Sequence, residues 1–142
     1  CPSCEKSGRC TLQAVGYEVD MLVSRFPYRF PVRQRDHASD RIWLERDRCI
    51  FCQRCVEFVR DETTGQKIFS ISQRGPESRI EVDTDRANAM PDEQVRYAVE
   101  ICPVGAILEK GVGYDVPIGR RRYEVKSVRD RALHQTDESG AP

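Results

Sequence analysis

The sequence lacks any run of about eighteen apolar residues, so no segment reads as a membrane-spanning helix. It lacks net charge: 23 Lys and Arg balance 23 Asp and Glu, which argues against a protein whose main task is binding nucleic acid. It has only two histidines, His37 and His134, and no His/Asp/Glu constellation that reads as catalytic. It is also short of core-forming side chains. Leu, Ile, Val and Phe make up about 23% of the 142 residues, just above the range in which chains fail to fold on apolar burial alone. A chain so placed gains from a metal or disulfide framework. The first residue is Cys1 and not Met, so an upstream segment is expected and any targeting signal in it is unread.

What the sequence does have is cysteine, and the count is seven. An odd number cannot close into disulfides within one chain, so a disulfide scaffold is disfavoured. Three cysteines, Cys1, Cys4 and Cys10, lie in CPSCEKSGRC. Cys49, Cys52 and Cys55 lie in CIFCQRC, and Cys102, in ICPVG, is separated from Cys55 by 46 residues. The two groups differ in spacing, so they are not an internal repeat.

Between the groups the pattern mixes helix and strand, an α+β chain. Leu12, Val15, Val19, Leu22 and Val23 recur at helical spacing and predict a helix over 11–24. In RFPYRFPVR (25–33), Pro27 and Pro31 exclude regular helix. Phe26, Tyr28 and Phe30 there suit an extended connector. RIWLER (41–46) predicts a short strand with Ile42 and Leu44 on one face, and Val56, Phe58 and Val59 suggest a turn or two of helix. IFSISQRGPESRIEV (68–82) predicts a β-hairpin about Gly75-Pro76. PDEQVRYAVEIC (91–102) predicts a helix, with Pro91 in the first turn, Asp92 and Glu93 complementing the dipole, and Val95, Ala98, Val99 and Cys102 on one face. ICPVGAILEK (101–110) reads as helix-like. GRRRYEVKSVRDRALHQ (119–135) is a basic, helix-compatible tail that reads as a solvated or subunit-docking face, and TDESGAP beyond it reads as frayed.

Cys-x2-Cys-x2-Cys aims three thiolates at one centre, and a remote Cys followed by Pro completes the set, as in the ligation of a [4Fe–4S] cluster. Structural zinc sites draw ligands as two separated pairs, and three cysteines at successive x2 spacing would crowd one tetrahedral ion. Iron–sulfur is therefore the leading reading of Cys49, Cys52, Cys55 and Cys102. A zinc-stapled interaction module and an iron–sulfur nucleic-acid enzyme stay as rivals. Cys1, Cys4 and Cys10 offer three ligands and want a fourth. His37 and His134 both read as surface residues. Arg46, Arg48, Arg54 and Arg60 flank the second cysteine loop, where positive charge would raise a cluster's potential. Gly111-Val112-Gly113 starts a GxG without the third glycine, so no nicotinamide site is expected and no residue is assigned a catalytic role.

Taken together, Cys1-Pro2-Ser3-Cys4-x5-Cys10-x-Leu12-Gln13, Cys49-x2-Cys52-x2-Cys55 and Cys102-Pro103-x-Gly105-Ala106 resemble the iron–sulfur subunit family of NADH dehydrogenase and NAD-reducing hydrogenase. That family includes the large iron–sulfur subunit of complex I. The wording of 1–33 and 41–58 is more similar to the diaphorase gamma subunits of the hydrogenases. The resemblance covers roughly residues 1–130. It implies a small helical unit with a [4Fe–4S] cluster held by one histidine and the three thiolates of Cys1, Cys4 and Cys10, the histidine lying upstream of Cys1. It implies a second [4Fe–4S] cluster on Cys49, Cys52, Cys55 and Cys102 in a ferredoxin-like unit. The corresponding boundaries are 1–36, 37–118 and a tail over 119–142. The family's N-terminal [2Fe–2S] domain has no counterpart in these residues.

The resemblance further implies single-electron transfer between a flavin/NAD-binding diaphorase subunit and hydrogenase subunits, or complex I subunits as the alternative. The chain would then be a subunit of an oxidoreductase complex with no turnover site of its own. Thiolate clusters favour a reducing compartment, which fits the cytoplasm.

Overall fold

A computed structural model describes residues 3–27 and 32–131, and among them no helix is long and apolar enough to cross a membrane. The chain divides into two compact units, one made of Cys1–Phe30 with Tyr114–Pro142, the other of Pro31–Gly113. This grouping differs from a linear succession with a free tail. The described part of the basic C-terminal stretch folds with the N-terminal cysteine segment, for reasons given below. His134, Tyr28, Phe30 and the TDESGAP stretch lie outside the described residues.

The Pro31–Gly113 unit is built on two small antiparallel sheets and short helices. Strand β1 (Ile42–Leu44) buries Ile42 and Leu44 and turns Trp43 outwards, the alternation expected of a strand with one covered face. Helix α2 (Arg54–Phe58) buries Val56, and Val59 follows it at 0% exposure, while Phe58 stays exposed. Strands β2 (Phe69–Ser72) and β3 (Arg79–Val82) form the hairpin foreseen from the sequence, with Phe69 opposite Val82 and Ile71 opposite Ile80. Helix α3 (Thr84–Ala89) is capped by Asp83, whose carboxylate accepts from the Arg86 backbone N–H at 3.0 Å. It buries Ala87 and was not foreseen. Helix α4 (Asp92–Ile101) presents Val95 and Ala98 to the core, and its buried Gln94 donates to the Arg60 carbonyl at 2.5 Å.

ICPVGAILEK is not helical past Ile101. Pro103 stops α4, and Ile107–Glu109 forms strand β4, which pairs antiparallel with β1. Leu44 faces Ile107 and Ile42 faces Glu109, and the ladder is extended by Glu45 N–H to Ala106 (2.7 Å) and Lys110 N–H to Arg41 (2.9 Å). The whole run from Cys102 to Leu108 is buried.

Arg46, one of the four arginines that flank the second cysteine loop, is buried and engaged within the scaffold. It is 6% exposed, and its guanidinium donates to the carbonyls of Ile80 (2.9 Å) and Gln34 (2.9 Å), to Asp36 (3.0 Å) and to Glu81. A buried charge is tolerable when it is paired and its donors are satisfied. Arg46 thus ties the incoming segment, the end of β1 and strand β3 together.

In the other unit, helix α1 spans Thr11–Glu18, shorter than the stretch read from the sequence. It ends where Asp20 adopts φ +55°, and Met21 N–H turns back to the Gly16 carbonyl at 2.8 Å. Leu12, Val15 and Val19 repeat at helical spacing but are 53%, 44% and 64% exposed, and Ala14 is the buried position. The C-terminal part of the unit carries α5 (Arg122–Val125).

Replacing Arg46 by Ala removes the Arg46 donors from Asp36, Glu81 and two carbonyls and leaves Arg79 and Ser72 as the partners of Glu81. The expected cost is about 3–5 kcal/mol of unfolding free energy, read from guanidinium denaturation. Acid should reproduce part of this loss. Burial acts to raise the Glu81 carboxyl, but hydrogen bonding from Arg79 and the charge of Arg46 outweigh it and hold the group below its usual value. Its contribution is therefore complete above the unfolded glutamate value of about 4.3 and is lost as pH falls below it. Glu81→Gln should flatten that part of the stability–pH curve.

Candidate metal centre

Four cysteines from two distant stretches line one cavity in the Pro31–Gly113 unit: Cys49, Cys52, Cys55 and Cys102, walled by Leu44, Ile80, Val104 and Ile107. All six described cysteines are free thiols. Cys49 leaves the single turn of 3-10 helix over Arg46–Arg48, with its N–H on the Arg46 carbonyl at 3.1 Å. Phe51 and Gln53 then take φ of +55° and +63°, a left-handed conformation that is uncommon for a side chain as bulky as phenylalanine. Such outliers gather at functional sites because the surrounding structure enforces them. Here they coil a loop of three thiols around a single space. Helix α2 begins directly after Gln53 and fixes Cys55 in its first turn. Cys102 arrives from the other side, at the C-terminal end of α4, where Pro103 ends the helix and β4 anchors the chain.

The thiols differ in exposure. Cys102 is buried, Cys49 and Cys55 are half-buried, and Cys52 is exposed. Burial pushes the Cys55 thiol up to about 12, and the like charges of Cys102 and Cys49 add to it. Burial raises Cys49 as well. The Phe51 N–H, 3.4 Å from its sulfur, works the other way, as does the charge of Arg33. The Val56 N–H acts likewise on Cys55. Backbone N–H groups and one arginine thus supply positive potential to an otherwise apolar pocket. Sequence reading missed all three contributors. Amides carry no residue-type signal, and Arg33 lies sixteen positions before Cys49.

Among the described residues, no group of three or more His, Cys, Asp or Glu is placed to hold one metal ion. His37 behaves as the surface residue it was read to be: it stacks on Trp43 with ring centroids 5.0 Å apart and lies 3.5 Å from Glu45.

In the other unit, the structure places Cys4 and Cys10, both half-buried, and Cys1 lies outside the described residues. Two turns shape the intervening loop, Ser7 N–H to the Cys4 carbonyl (3.0 Å) and Arg9 N–H to the Lys6 carbonyl (2.9 Å). Cys10 caps α1, its sulfur accepting from the Gln13 N–H at 3.4 Å, and the Gln13 side chain accepts from the Gly8 N–H at 3.1 Å. The Cys-x5-Cys loop is therefore closed on itself through Gln13.

Known proteins carry the same arrangement of sequence. Residues 39–108 match the ferredoxin-like domain of NADH-quinone oxidoreductase subunit 3. The chain is 78% identical over 137 residues to the NAD-reducing hydrogenase HoxS subunit gamma of Cupriavidus necator, covering 96% of this chain and 58% of that protein. It is 31% identical over 128 residues to the NADH-ubiquinone oxidoreductase 75 kDa subunit of Acanthamoeba castellanii, covering 89% of this chain and 18% of that subunit. A crystal structure of an NAD+-reducing [NiFe]-hydrogenase in the H2-reduced state superposes with a TM-score of 0.74 at 37% identity, over 89% of this chain and 54% of that one. The chain thus spans little more than half of the hydrogenase subunits it matches and under a fifth of the 75 kDa subunit. The chain belongs to the iron–sulfur subunit family shared by NAD-reducing hydrogenases and NADH-quinone oxidoreductases.

Proposed function

We propose that this chain relays single electrons through two [4Fe–4S] clusters inside an NAD-linked hydrogenase complex. Cys49, Cys52, Cys55 and Cys102 would hold one cluster. Cys1, Cys4 and Cys10 would hold the other, with the histidine that the family resemblance calls for as fourth ligand. The observation that carries the reading is the shared cavity of the four thiols. Its donor set fits the group: four thiols in an otherwise largely apolar lining, the ligand chemistry of an iron–sulfur cluster. When bound, such a cluster supplies reversible one-electron redox chemistry.

The protein's own part is positional and electrostatic. The left-handed residues of the 49–53 loop aim the thiols. Leu44, Ile80, Val104 and Ile107 exclude water from one side. The N–H groups of Phe51 and Val56 and the charge of Arg33 offset the negative charge of the sulfurs, which favours the more reduced state. Cys52, the exposed ligand, puts one edge of the centre near the surface, where electrons enter or leave.

The 78% identity to a hydrogenase gamma subunit, against 31% to a complex I subunit, favours the hydrogenase setting. The partners are then a flavin/NAD-binding subunit and the hydrogenase subunits, in the cytoplasm, and the longer protein carries a [2Fe–2S] domain as well. The chain is a component of an oxidoreductase and turns over no substrate alone.

Chain produced anaerobically with a histidine-bearing segment joined before Cys1 should be brown and carry about eight irons. A colourless protein with stoichiometric zinc would overturn the reading. Cys55→Ser should remove about four of those irons and one of two low-temperature EPR signals. Unchanged iron and spectra in that variant would exclude Cys55 as a ligand.

A further inference from the structure

The unit that carries Cys4 and Cys10 has almost no apolar core. Among its described residues only Lys6 and Ala14 are buried. The cysteine loop is nevertheless held in one shape, by a segment that follows the ferredoxin-like domain in sequence. Arg9, next to Cys10, makes a two-pronged ion pair with Asp115, 106 positions away, at 3.2 and 2.8 Å. The Gly8 carbonyl accepts from the Tyr123 N–H at 2.9 Å, and the Thr11 and Tyr123 hydroxyls share a hydrogen bond of 2.9 Å. The Arg121 side chain lies against Gly8 itself. A Cβ at that position would stand 2.5 Å from Arg121 Cδ and 2.9 Å from its Cβ, and Gly8 already has φ +76°. Gly8 is therefore glycine for two independent reasons, backbone conformation and the close approach of Arg121.

The segment that makes these contacts is itself preformed. The Glu124 carboxylate accepts from the backbone N–H groups of Gly119 (2.7 Å) and Arg121 (3.0 Å), and Arg121 Nε donates to the Val116 carbonyl at 3.1 Å. It presents Asp115, Arg121 and Tyr123 to the loop as a set. Metal-binding thiols must be held to within a fraction of an ångström by groups that are themselves fixed. With so little apolar burial in the unit, polar ties from this segment are what can do that.

We infer that residues 115–124 are positioning residues for the loop that carries Cys4 and Cys10, so that this loop is shaped from the far side of the ferredoxin-like domain, outside the 39–108 stretch that matches the family model. This rests on the reading of Cys1, Cys4 and Cys10 as cluster ligands. In the second group the backbone N–H groups that reach sulfur, Phe51 and Val56, come from its own unit.

The test uses the full complex prepared anaerobically, with EPR redox titration resolving two cluster signals and Cys55→Ser assigning the second. Three variants are compared: Asp115→Asn, Tyr123→Phe and Gly8→Ala. Asp115→Asn and Tyr123→Phe remove one interaction each with little change of volume. The first-cluster signal should decay roughly tenfold faster under a chelator in Asp115→Asn, measurably faster in Tyr123→Phe, and be lost in Gly8→Ala. The second signal should keep its spin count and midpoint potential throughout. First-cluster lifetime and potential unchanged in all three variants would overturn the inference. So would a parallel loss of both signals, which marks a general folding role. A wild-type complex that shows the second signal and never the first overturns the cluster reading of Cys1, Cys4 and Cys10 itself, and the inference with it.

Discussion

A three-residue antiparallel ladder is the contact on which the second cysteine group depends. Cys49, Cys52 and Cys55 can be gathered by a loop, but 46 residues separate Cys102 from Cys55 and it has to be brought back. Pairing of β1 with β4, extended by Glu45 to Ala106 and by Arg41 to Lys110, fixes the strand that follows Cys102 beside the strand that precedes Cys49. Leu44 and Ile107, opposite each other in that register, are also two walls of the thiol cavity. The same side chains that stabilise the ladder by burial therefore dry the site. A register slip of one residue would turn the slipped strand's wall residue, Leu44 or Ile107, away from the cavity and undo the pairing and the cavity together.

The electrostatics of the cavity follow from that dryness. Apolar walls disfavour negative charge, so uncompensated thiols are driven towards their neutral form, Cys55 most of all. The fold answers with dipoles more than with ions. The amides of Phe51, in the loop, and Val56, in the first turn of α2, hydrogen-bond to the sulfurs of Cys49 and Cys55. Arg46, nearest in sequence to the loop among the buried cations, is engaged by Asp36 and Glu81, so its charge is neutralised locally. Burial in this unit thus separates two jobs that the sequence left merged: Arg46 holds the scaffold, and Arg33 acts on the site.

How much of this was legible in advance follows from how local each signal is. Ligand chemistry is local, because Cys-x2-Cys-x2-Cys can be read without knowing the fold, and the structure does bring those three to one cavity with Cys102. The hairpin over 68–82 and helix α4 were also legible, since turn residues and an amphipathic repeat are written in consecutive positions. Strand β4 was not. Three residues after a helix are too few to show a period, and only the distant partner β1 decides their conformation. Helix α3 escaped because its six residues carry little apolar content beyond Ala87, although Asp83 before Thr84 is a capping signal. The apolar repeat of 11–24 misled: spacing alone does not say that a core is there to receive it.

That last error exposes an uneven distribution behind an ordinary average. The apolar fraction read from the whole chain, about 23%, placed it at the margin of self-sufficient folding. The structure shows that the margin applies to one unit and not the other. Sixteen of the seventeen buried hydrophobic residues described belong to Pro31–Gly113, and Ala14 alone belongs to the rest. The Pro31–Gly113 unit has a normal small core around its strands and helices, and its cavity is one face of that core. The unit of the two chain ends is ordered by hydrogen bonds and ion pairs among exposed or half-exposed groups, such as Arg9 with Asp115 and Arg129 with Glu18. Pairs of that kind contribute little individually in water. Several acting on one short loop can select its conformation without supplying much net stability, and the free energy that such a unit lacks is of the size that thiolate–metal bonds provide in other small domains. Scarcity of core thus coincides with the Cys4–Cys10 loop in one unit only, while Cys49, Cys52, Cys55 and Cys102 sit against the apolar core of the other.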